Sequence, residues 1–170
     1  METAVAEKIG EVRIYRRMAR MIHAVGRRCA EGITQEESLI QPGPEGNCLN
    51  WVMGHLLCVY DNLLPALGQE TVGNDGSFKC YGRGTAGIGA DQALNMADLM
   101  SAWDEAEKRV EAGLAGLTAE RLDEPAPFSP SNNPKETMRS LLTTVFFHQS
   151  YHVGQAGMLR RIGGRPGAIG

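Results

Sequence analysis

The sequence predicts an all-α protein, a four-helix bundle that forms one domain over residues 1–170. Four segments repeat apolar residues every three or four positions, which is the period of an α-helix with one buried face. The longest stretch that resembles a β-strand is SFKCY, at residues 77–81. No internal repeat divides the chain, and its 170 residues suit a single domain.

The first two helices are predicted at about residues 4–31 and 47–64. Asn47 is the expected N-cap of the second helix, because a short polar side chain can accept the free N–H groups of the first turn. Pro65 is expected to break or kink the end of that helix. In the first helix, His23 lies beside the apolar face, which predicts a surface or boundary position.

The third and fourth helices are predicted at about residues 91–117 and 133–162. Asp91 is the expected N-cap of the third helix. Asn133, followed by Pro134, is the expected N-cap of the fourth, with Thr137 as a rival cap. The glycine-rich connection of residues 68–90 is longer than a tight antiparallel turn needs. It predicts a long crossover, with the second and third helices parallel.

Composition and charge argue against several classes of partner and site. The net charge is −3 and no cluster of Lys and Arg occurs, so no nucleic-acid partner is expected. No apolar run approaches the roughly 20 residues that span a bilayer, and the start of the chain lacks a signal-peptide pattern. A cytoplasmic protein without a membrane partner is therefore expected. The four cysteines form no Cys-x-x-Cys pair, which indicates small buried side chains rather than a zinc ribbon or disulfide framework.

The segment GRGTAG at residues 82–87 matches the Gly-x-Gly-x-x-Gly fingerprint of dinucleotide-binding proteins. That fingerprint binds a pyrophosphate only between a strand and the helix that follows at once, inside a βαβ unit. The chain offers neither element at the required place. The segment is therefore expected to be a loop.

Two histidines lie four residues apart in the fourth helix, in the segment FFHQSYHVGQ at residues 146–155. His148 and His152 share the apolar face, and Cβ atoms at this spacing are about 5–6 Å apart, so both imidazoles can reach one ion. His55 lies on the apolar face of the second helix, and neither face carries an Asp or Glu to accept an imidazole N–H. A buried imidazole without a partner costs a few kcal/mol. One divalent cation would satisfy all three, and water or backbone partners are the alternative.

The segments NWVMGHL at residues 50–56 and HQSYHVGQAGMLRR at residues 148–161 resemble the DinB/YfiT-like superfamily of small helical metalloproteins. The resemblance covers most of the chain. It implies a bundle with an up-down-down-up course, often homodimeric, that binds one divalent metal ion per chain through His55, His148 and His152. Iron enzymes of ergothioneine synthesis carry a related domain with the pattern H-x-x-x-H-x-E. Here Gly154 occupies the position of that glutamate, so iron–oxygen sulfur chemistry is not expected.

The resemblance also implies a small-molecule substrate, because characterised relatives include transferases and isomerases that use mycothiol or bacillithiol, and some apparent hydrolases. Three neutral imidazoles leave an open coordination position, as in catalytic zinc sites. Zinc or nickel is the expected ion, and iron also accepts imidazole. Water or a thiol in the open position would lose its proton readily, so a hydrolase or a low-molecular-weight thiol S-transferase is expected. The alternatives are a non-catalytic metal-stabilised bundle and a small-molecule binding module with residues 68–90 as a lid.

Histidines that bind a metal usually donate their second N–H to a neighbouring acceptor, which orients the ring. Four residues are candidates for this role or for a packing role: Gln155, Asn62, Asn50 and Tyr151. Cys58, three residues after His55, is an alternative fourth metal ligand, although a buried cysteine usually only packs. No side chain is assigned as general acid or base; a metal-bound water or thiolate is the expected reacting group.

Overall fold

The computed structural model describes residues 2–44, 46–73, 76–85 and 87–169, with residues 2–9 described only as part of a helix. These residues contain five α-helices: α1 (Glu2–Ala30), α2 (Gln35–Ser38), α3 (Leu49–Leu63), α4 (Met96–Ala115) and α5 (Met138–Ile162). Short 3₁₀ helices cover Leu64–Leu67, Lys79–Tyr81 and Glu120–Asp123. Within the described ranges no β-strand forms, and one isolated bridge joins Pro125 to Thr137. The all-α prediction is confirmed, and SFKCY contains a 3₁₀ helix where a strand was the alternative.

The four long helices pack around one core. Helix α1 contacts α4 and α5, and α3 contacts the same two helices. Trp103 of α4 is fully buried at the centre, and its indole N–H donates to the backbone carbonyl of His23 at 3.2 Å. Gly26 permits this close approach of α1 and α4, because a Cβ atom at that position would lie 2.7 Å from the Trp103 ring.

His23 is buried, so its predicted surface or boundary position is wrong. Its side chain is 1% exposed, and its ring stacks on Tyr60 with centroids 4.9 Å apart and lies 4.5 Å from the ring of Trp103. Both α4 and α5 cover α1, so the buried face is wider than the single apolar stripe from which the prediction was made. Neither ring nitrogen of His23 has a hydrogen-bond partner among the described residues.

Three of the four predicted helices, α3, α4 and α5, begin later in the chain than the sequence predicted. Helix α4 begins after Asn95, whose side chain accepts the N–H of Ala97, so Asp91 is not its cap. Helix α5 begins after Thr137, which forms a capping box with Ser140; the rival cap was right and Asn133 was wrong. The residues before Thr137 pair with the chain near Pro125, as the N–H of Ala126 donates to Glu136 and the N–H of Met138 to Glu124. This extended pairing holds residues 133–137 out of the helix. Helix α3 likewise begins after Cys48, one residue beyond Asn47.

Tyr81 attaches the connection after α3 to that helix. It is fully buried, its hydroxyl donates to Asn50 at 2.9 Å, and the same oxygen accepts the N–H of Leu94 at 2.7 Å. The amide of Asn50 also donates to the Leu94 carbonyl at 2.8 Å. The Tyr81 ring lies against Gly54, where an added Cβ atom would be 2.3 Å from a ring carbon. Asn50 and Gly54 therefore form part of the buried pocket that the Tyr81 side chain occupies.

Replacing Gly54 with alanine is expected to destabilise the protein by about 2–3 kcal/mol, because the new methyl group overpacks a filled core. The matched control is Gly154→Ala on α5, where nothing lies within 4 Å of the added Cβ atom. That change is expected to be neutral or to stabilise by about 0.5–1 kcal/mol, since alanine favours a helix more than glycine does. Urea unfolding of both variants measures the difference, and equal unfolding midpoints would contradict the tight contact with Tyr81.

The composition argued against membrane-spanning helices and against a disulfide framework. Among the described residues, none of the helices combines the length and apolarity that a bilayer crossing requires. All four cysteines are free, so no disulfide framework exists. Cys29 and Cys48 are buried as predicted, whereas Cys58 and Cys80 are partly exposed.

Candidate metal centre

Three histidines from two helices meet at one point. His55 comes from α3, and His148 and His152 lie one turn apart on α5. One ligand nitrogen from each ring lies within 4.8 Å of the other two. Nε2 of His55 lies 3.3 Å from Nε2 of His148. The structure therefore brings together the three histidines that the sequence singled out.

The geometry of this triad suits a small divalent cation. Two nitrogens that each lie about 2.0–2.1 Å from a tetrahedral zinc ion are roughly 3.3 Å apart. The observed 3.3 Å between His55 and His148 equals that spacing. Among the described residues, no carboxylate and no cysteine joins the group, so Cys58 is not part of it. The donor set consists of imidazole nitrogens, which zinc, nickel and iron accept.

Hydrogen bonds fix the orientation of two of the three rings. Nδ1 of His55 lies 2.7 Å from the backbone carbonyl of Tyr81, and Nδ1 of His152 lies 2.6 Å from Oε1 of Gln155. Both partners are oxygen acceptors, so each Nδ1 carries the proton and each Nε2 keeps a free lone pair. This is the arrangement that outer hydrogen bonds give to metal-binding histidines. Nδ1 of His148 is buried and has no partner among the described residues.

The surroundings of the triad favour neutral rings. Burial lowers the pKa of His55, against the opposing effect of the hydrogen bond to Tyr81. Burial likewise lowers the pKa of His152, against the hydrogen bond to Gln155. The pKa of His148 falls to about 4, first because of burial and then because of the positive charge that His152, His55 and Arg83 can carry. At neutral pH all three rings therefore offer a lone pair without first losing a proton.

A cavity of about 1080 Å³ opens beside the histidines. Seven apolar or aromatic side chains contribute to its wall: Trp51, Val59, Phe128, Pro130, Val145, Phe147 and Tyr151. Arg83 is the one side chain with a permanent charge in the described lining. Small-molecule sites have this composition, a mainly apolar cavity with a few polar groups that fix orientation.

A family comparison agrees with the motifs that surround these histidines. The model of the DinB superfamily matches residues 17–156, which is more than half of the chain and includes all three histidines. The chain belongs to the DinB superfamily. Among curated proteins, no match to this DinB chain was found.

The other predicted residues of the DinB site lie at different distances from the triad. Gln155 contacts His152 directly, and Tyr151 presents its exposed ring edge-on to His152 with centroids 5.1 Å apart. Asn50 is buried but contacts Tyr81, so its effect on His55 is indirect. Asn62 is exposed on the cavity wall, and the Tyr81 carbonyl occupies the place by His55 that Asn62 was expected to take. Two helical turns are about 11 Å, which a short amide side chain cannot cover.

The sequence also placed His148 and His152 on the core face of their helix, and this is wrong. Both are partly exposed, and the line of buried residues on α5 passes through Gln149 and Val153 beside them. The observed core face of α5 is therefore displaced by one residue from the predicted core face. This displacement places the two rings at the boundary between the core and the cavity, where both line the cavity wall.

Two residues of the DinB site, Tyr81 and Trp51, were not predicted from the sequence. The ring of Trp51 stacks on His55 with centroids 4.6 Å apart, and its indole N–H donates to Oγ1 of Thr85 at 3.2 Å. A loop has no periodicity that could identify the Tyr81 carbonyl in advance. The available signal was the motif NWVMGHL itself. Its Asn50, Trp51 and Gly54 all contact residues 81–85, the connection whose Tyr81 carbonyl orients His55.

The segment GRGTAG forms a turn at the mouth of the DinB cavity. The N–H of Thr85 donates to the Gly82 carbonyl at 3.2 Å, and Gly84 adopts a φ of 79°, which glycine tolerates best. Arg83 is the residue that this turn presents. Ala86 lies outside the described residues, as do residues 74–75 of the same connection. No strand precedes the segment in the described ranges, which agrees with rejection of a dinucleotide site.

Proposed function

We propose that this DinB-superfamily protein binds one divalent metal ion through His55, His148 and His152 and catalyses a reaction of a small molecule in the adjoining cavity. The observation that carries the proposal is the convergence of three imidazoles at the wall of a large, mainly apolar cavity, with ligand nitrogens within 4.8 Å of one another and 3.3 Å between Nε2 of His55 and Nε2 of His148. When bound there, a divalent cation with three neutral ligands supplies Lewis acidity and lowers the pKa of a water or thiol that reaches it.

The protein's own residues prepare the site for this role. The Tyr81 carbonyl and the Gln155 side chain hold the N–H groups of His55 and His152, which directs the remaining lone pairs towards each other. Trp51 covers one face of the His55 ring. The apolar wall of the cavity reduces the amount of water around a bound substrate, which strengthens electrostatic interactions there.

The lining of the cavity favours a nucleophile that the protein does not supply. In the part of the chain that the structure describes, no carboxylate and no thiol side chain lines the cavity. The hydroxyl groups in the lining belong to Ser131, Thr144 and Tyr151. Water and a low-molecular-weight thiol are the two nucleophiles proposed, so a hydrolase and a thiol S-transferase are the two reaction classes proposed. Zinc or nickel is the proposed ion, and iron is the alternative.

The up-down-down-up course is part of the proposal, and pairs of contacts support it. Between neighbours proposed to be parallel, early residues meet early ones and late residues meet late ones: Asn50 with Leu94 and Tyr60 with Trp103, and Tyr15 with Thr143 and Cys29 with Val153. Between α1 and α4 the order is reversed: Arg16 with Glu111 and Arg27 with Asp104. The connection between α3 and α4 is then the long crossover.

A homodimer in the cytoplasm is the proposed state of the protein. Four large apolar side chains are exposed at regular helical spacing on α5: Phe147, Tyr151, Met158 and Ile162. An apolar line of this kind favours association with a second copy through α5. The four free cysteines favour a reducing compartment.

Elemental analysis of the protein, purified without added metal or chelator, tests the proposal. We expect close to one divalent ion per chain, or uptake of one zinc or nickel ion on titration. The loaded protein is then assayed for hydrolysis of aryl esters and for transfer of small thiols to 1-chloro-2,4-dinitrobenzene. A protein that neither contains nor takes up metal would contradict the proposal. An ion that raises the melting temperature without either activity would favour the non-catalytic, metal-stabilised bundle.

A further inference from the structure

We propose that Arg83 binds the carboxylate of the substrate, and that the substrates are therefore carboxylic acids with an apolar body of moderate size. This inference rests on the proposed function, because it names the substrate class of the same cavity. Nothing in the metal site alone requires an acid. The inference comes from the charge of the cavity, the position of Arg83 and the shape of the apolar wall.

The charge of the cavity is unbalanced. Its described lining contains no Asp, Glu or Lys, and Arg83 is its one permanently charged side chain. No ion pair involves Arg83 among the residues that the structure describes. A bound cation would add further positive charge, so the cavity selects for an anion from outside.

The backbone around Arg83 is held in place by hydrogen bonds, and the Arg83 side chain itself is exposed. It lies in the turn that Gly82 and Thr85 close with a hydrogen bond of 3.2 Å. The chain is fixed just before this turn, where the Tyr81 carbonyl meets the His55 ring at 2.7 Å. It is fixed again at the end of the turn, where Oγ1 of Thr85 accepts the Trp51 indole N–H at 3.2 Å. The same short segment therefore orients a proposed metal ligand and presents a guanidinium group.

The position of Arg83 relative to the triad suits a molecule that reaches both. Arg83 and all three histidines of the triad line the same cavity. A guanidinium group binds a carboxylate through two parallel N–H bonds, which fixes the orientation of the acid. The rest of the substrate then lies along Trp51, Phe128 and Phe147, whose rings offer flat apolar faces.

Isothermal titration of the protein with 4-phenylbutyrate and with the neutral analogue 4-phenylbutan-1-ol tests this inference. Both probes carry the same apolar body, so the difference in affinity reports on the carboxylate. The wild type is compared with Arg83→Gln, which removes the charge from the cavity. The control is Arg17→Gln, which removes the same charge from an exposed position on α1. All titrations are made on zinc-loaded protein and repeated on zinc-free protein.

We expect Arg83→Gln to weaken binding of the acid by about tenfold and to leave binding of the alcohol unchanged. Arg17→Gln should change neither affinity. Because Arg83 is not a metal ligand, the zinc content should be equal in all three proteins, and the tenfold effect should persist without zinc.

Two results would overturn the inference: equal affinity of the acid for wild type and Arg83→Gln, or a preference for the acid that disappears on removal of zinc. The second result would place the carboxylate on the metal ion. If the protein takes up no zinc, the proposed function fails, while the titrations of zinc-free protein still decide the role of Arg83.

Discussion

Replacing His148 with alanine is expected to lower the affinity of the protein for zinc by at least about 100-fold. The change removes one of three proposed nitrogen ligands, and the two that remain cannot complete a tetrahedral site with the same strength. A competition titration with a chromophoric zinc chelator measures the affinity. Protein purified without added metal should contain close to one ion per chain for the wild type and almost none for the variant.

The matched control for His148→Ala is Asn62→Ala. Asn62 lies on the wall of the same cavity and is exposed, but it does not belong to the group of possible ligands. The Asn62→Ala variant should therefore bind zinc with the affinity of the wild type. Zinc should also raise the melting temperature of the wild type and of Asn62→Ala, because the ion binds the folded chain, and should leave that of His148→Ala almost unchanged. Equal zinc affinities for His148→Ala and the wild type would rule out the three-histidine site.

Acid is expected to destabilise the fold through His23, by up to about 5 kcal/mol between neutral pH and pH 3. The pKa of His23 is lowered to about 3. Burial is the main cause, the nearby charge of Arg27 adds to it, and Asp104 has a smaller opposing effect. In the unfolded chain the same ring takes up a proton near its ordinary value of 6.5. Between these two values the unfolded state binds more protons, so stability falls as the pH falls from 6.5 towards 3. Above pH 6.5 this contribution to stability is constant.

The groups that face His23 come from three helices. Arg27 follows it on α1, Asp104 and Trp103 come from α4, and Tyr60 comes from α3. The hydroxyl of Tyr60 is also buried without a partner among the described residues, and burial raises its pKa, so it stays neutral over this range. A protonated His23 would thus lie in the core, where Asp104 is the carboxylate that favours its charge.

Urea unfolding of metal-free wild type and of metal-free His23→Leu, at pH 7.5 and at pH 4.5, measures this effect. The other histidines and the carboxylates titrate in both proteins, so their contributions cancel in the difference. Relative to pH 7.5, the difference at pH 4.5 should shift in favour of the leucine variant by about 2–3 kcal/mol. A difference that does not change with pH would show that His23 is hydrated or protonated in the folded protein.

The histidine triad could be found from sequence because helical periodicity fixes which residues share a face. His148 and His152 are related by one turn, and His55 lies on an apolar stripe, so their convergence needed only the packing of two helices. The same periodicity placed the pair one position too deep on α5, since it does not show where a cavity opens. His23 was misplaced because two helices cover α1, and a single stripe underestimates such a face.

The parts of the site that come from connections could not be predicted. The carbonyl that orients His55 belongs to Tyr81, and its position depends on a buried ring seated on Gly54. That seat is a long-range contact without a local sequence signal. The start of α5 shows the same limit, because Asn133 has the right residue type for a cap but the backbone bonds of residues 124–126 to residues 136–138 decide otherwise.

The buried Tyr81 separates two tasks, the orientation of His55 and the choice of the molecule that binds in the cavity, and this separation is useful for engineering. The helices supply the histidines, and the anchored tyrosine keeps one of them aimed whatever follows it in the chain. Residues 82–84 can then be exchanged as a unit, with Thr85 kept as the partner of Trp51, to bind molecules of another charge while the proposed metal site on the helices stays intact.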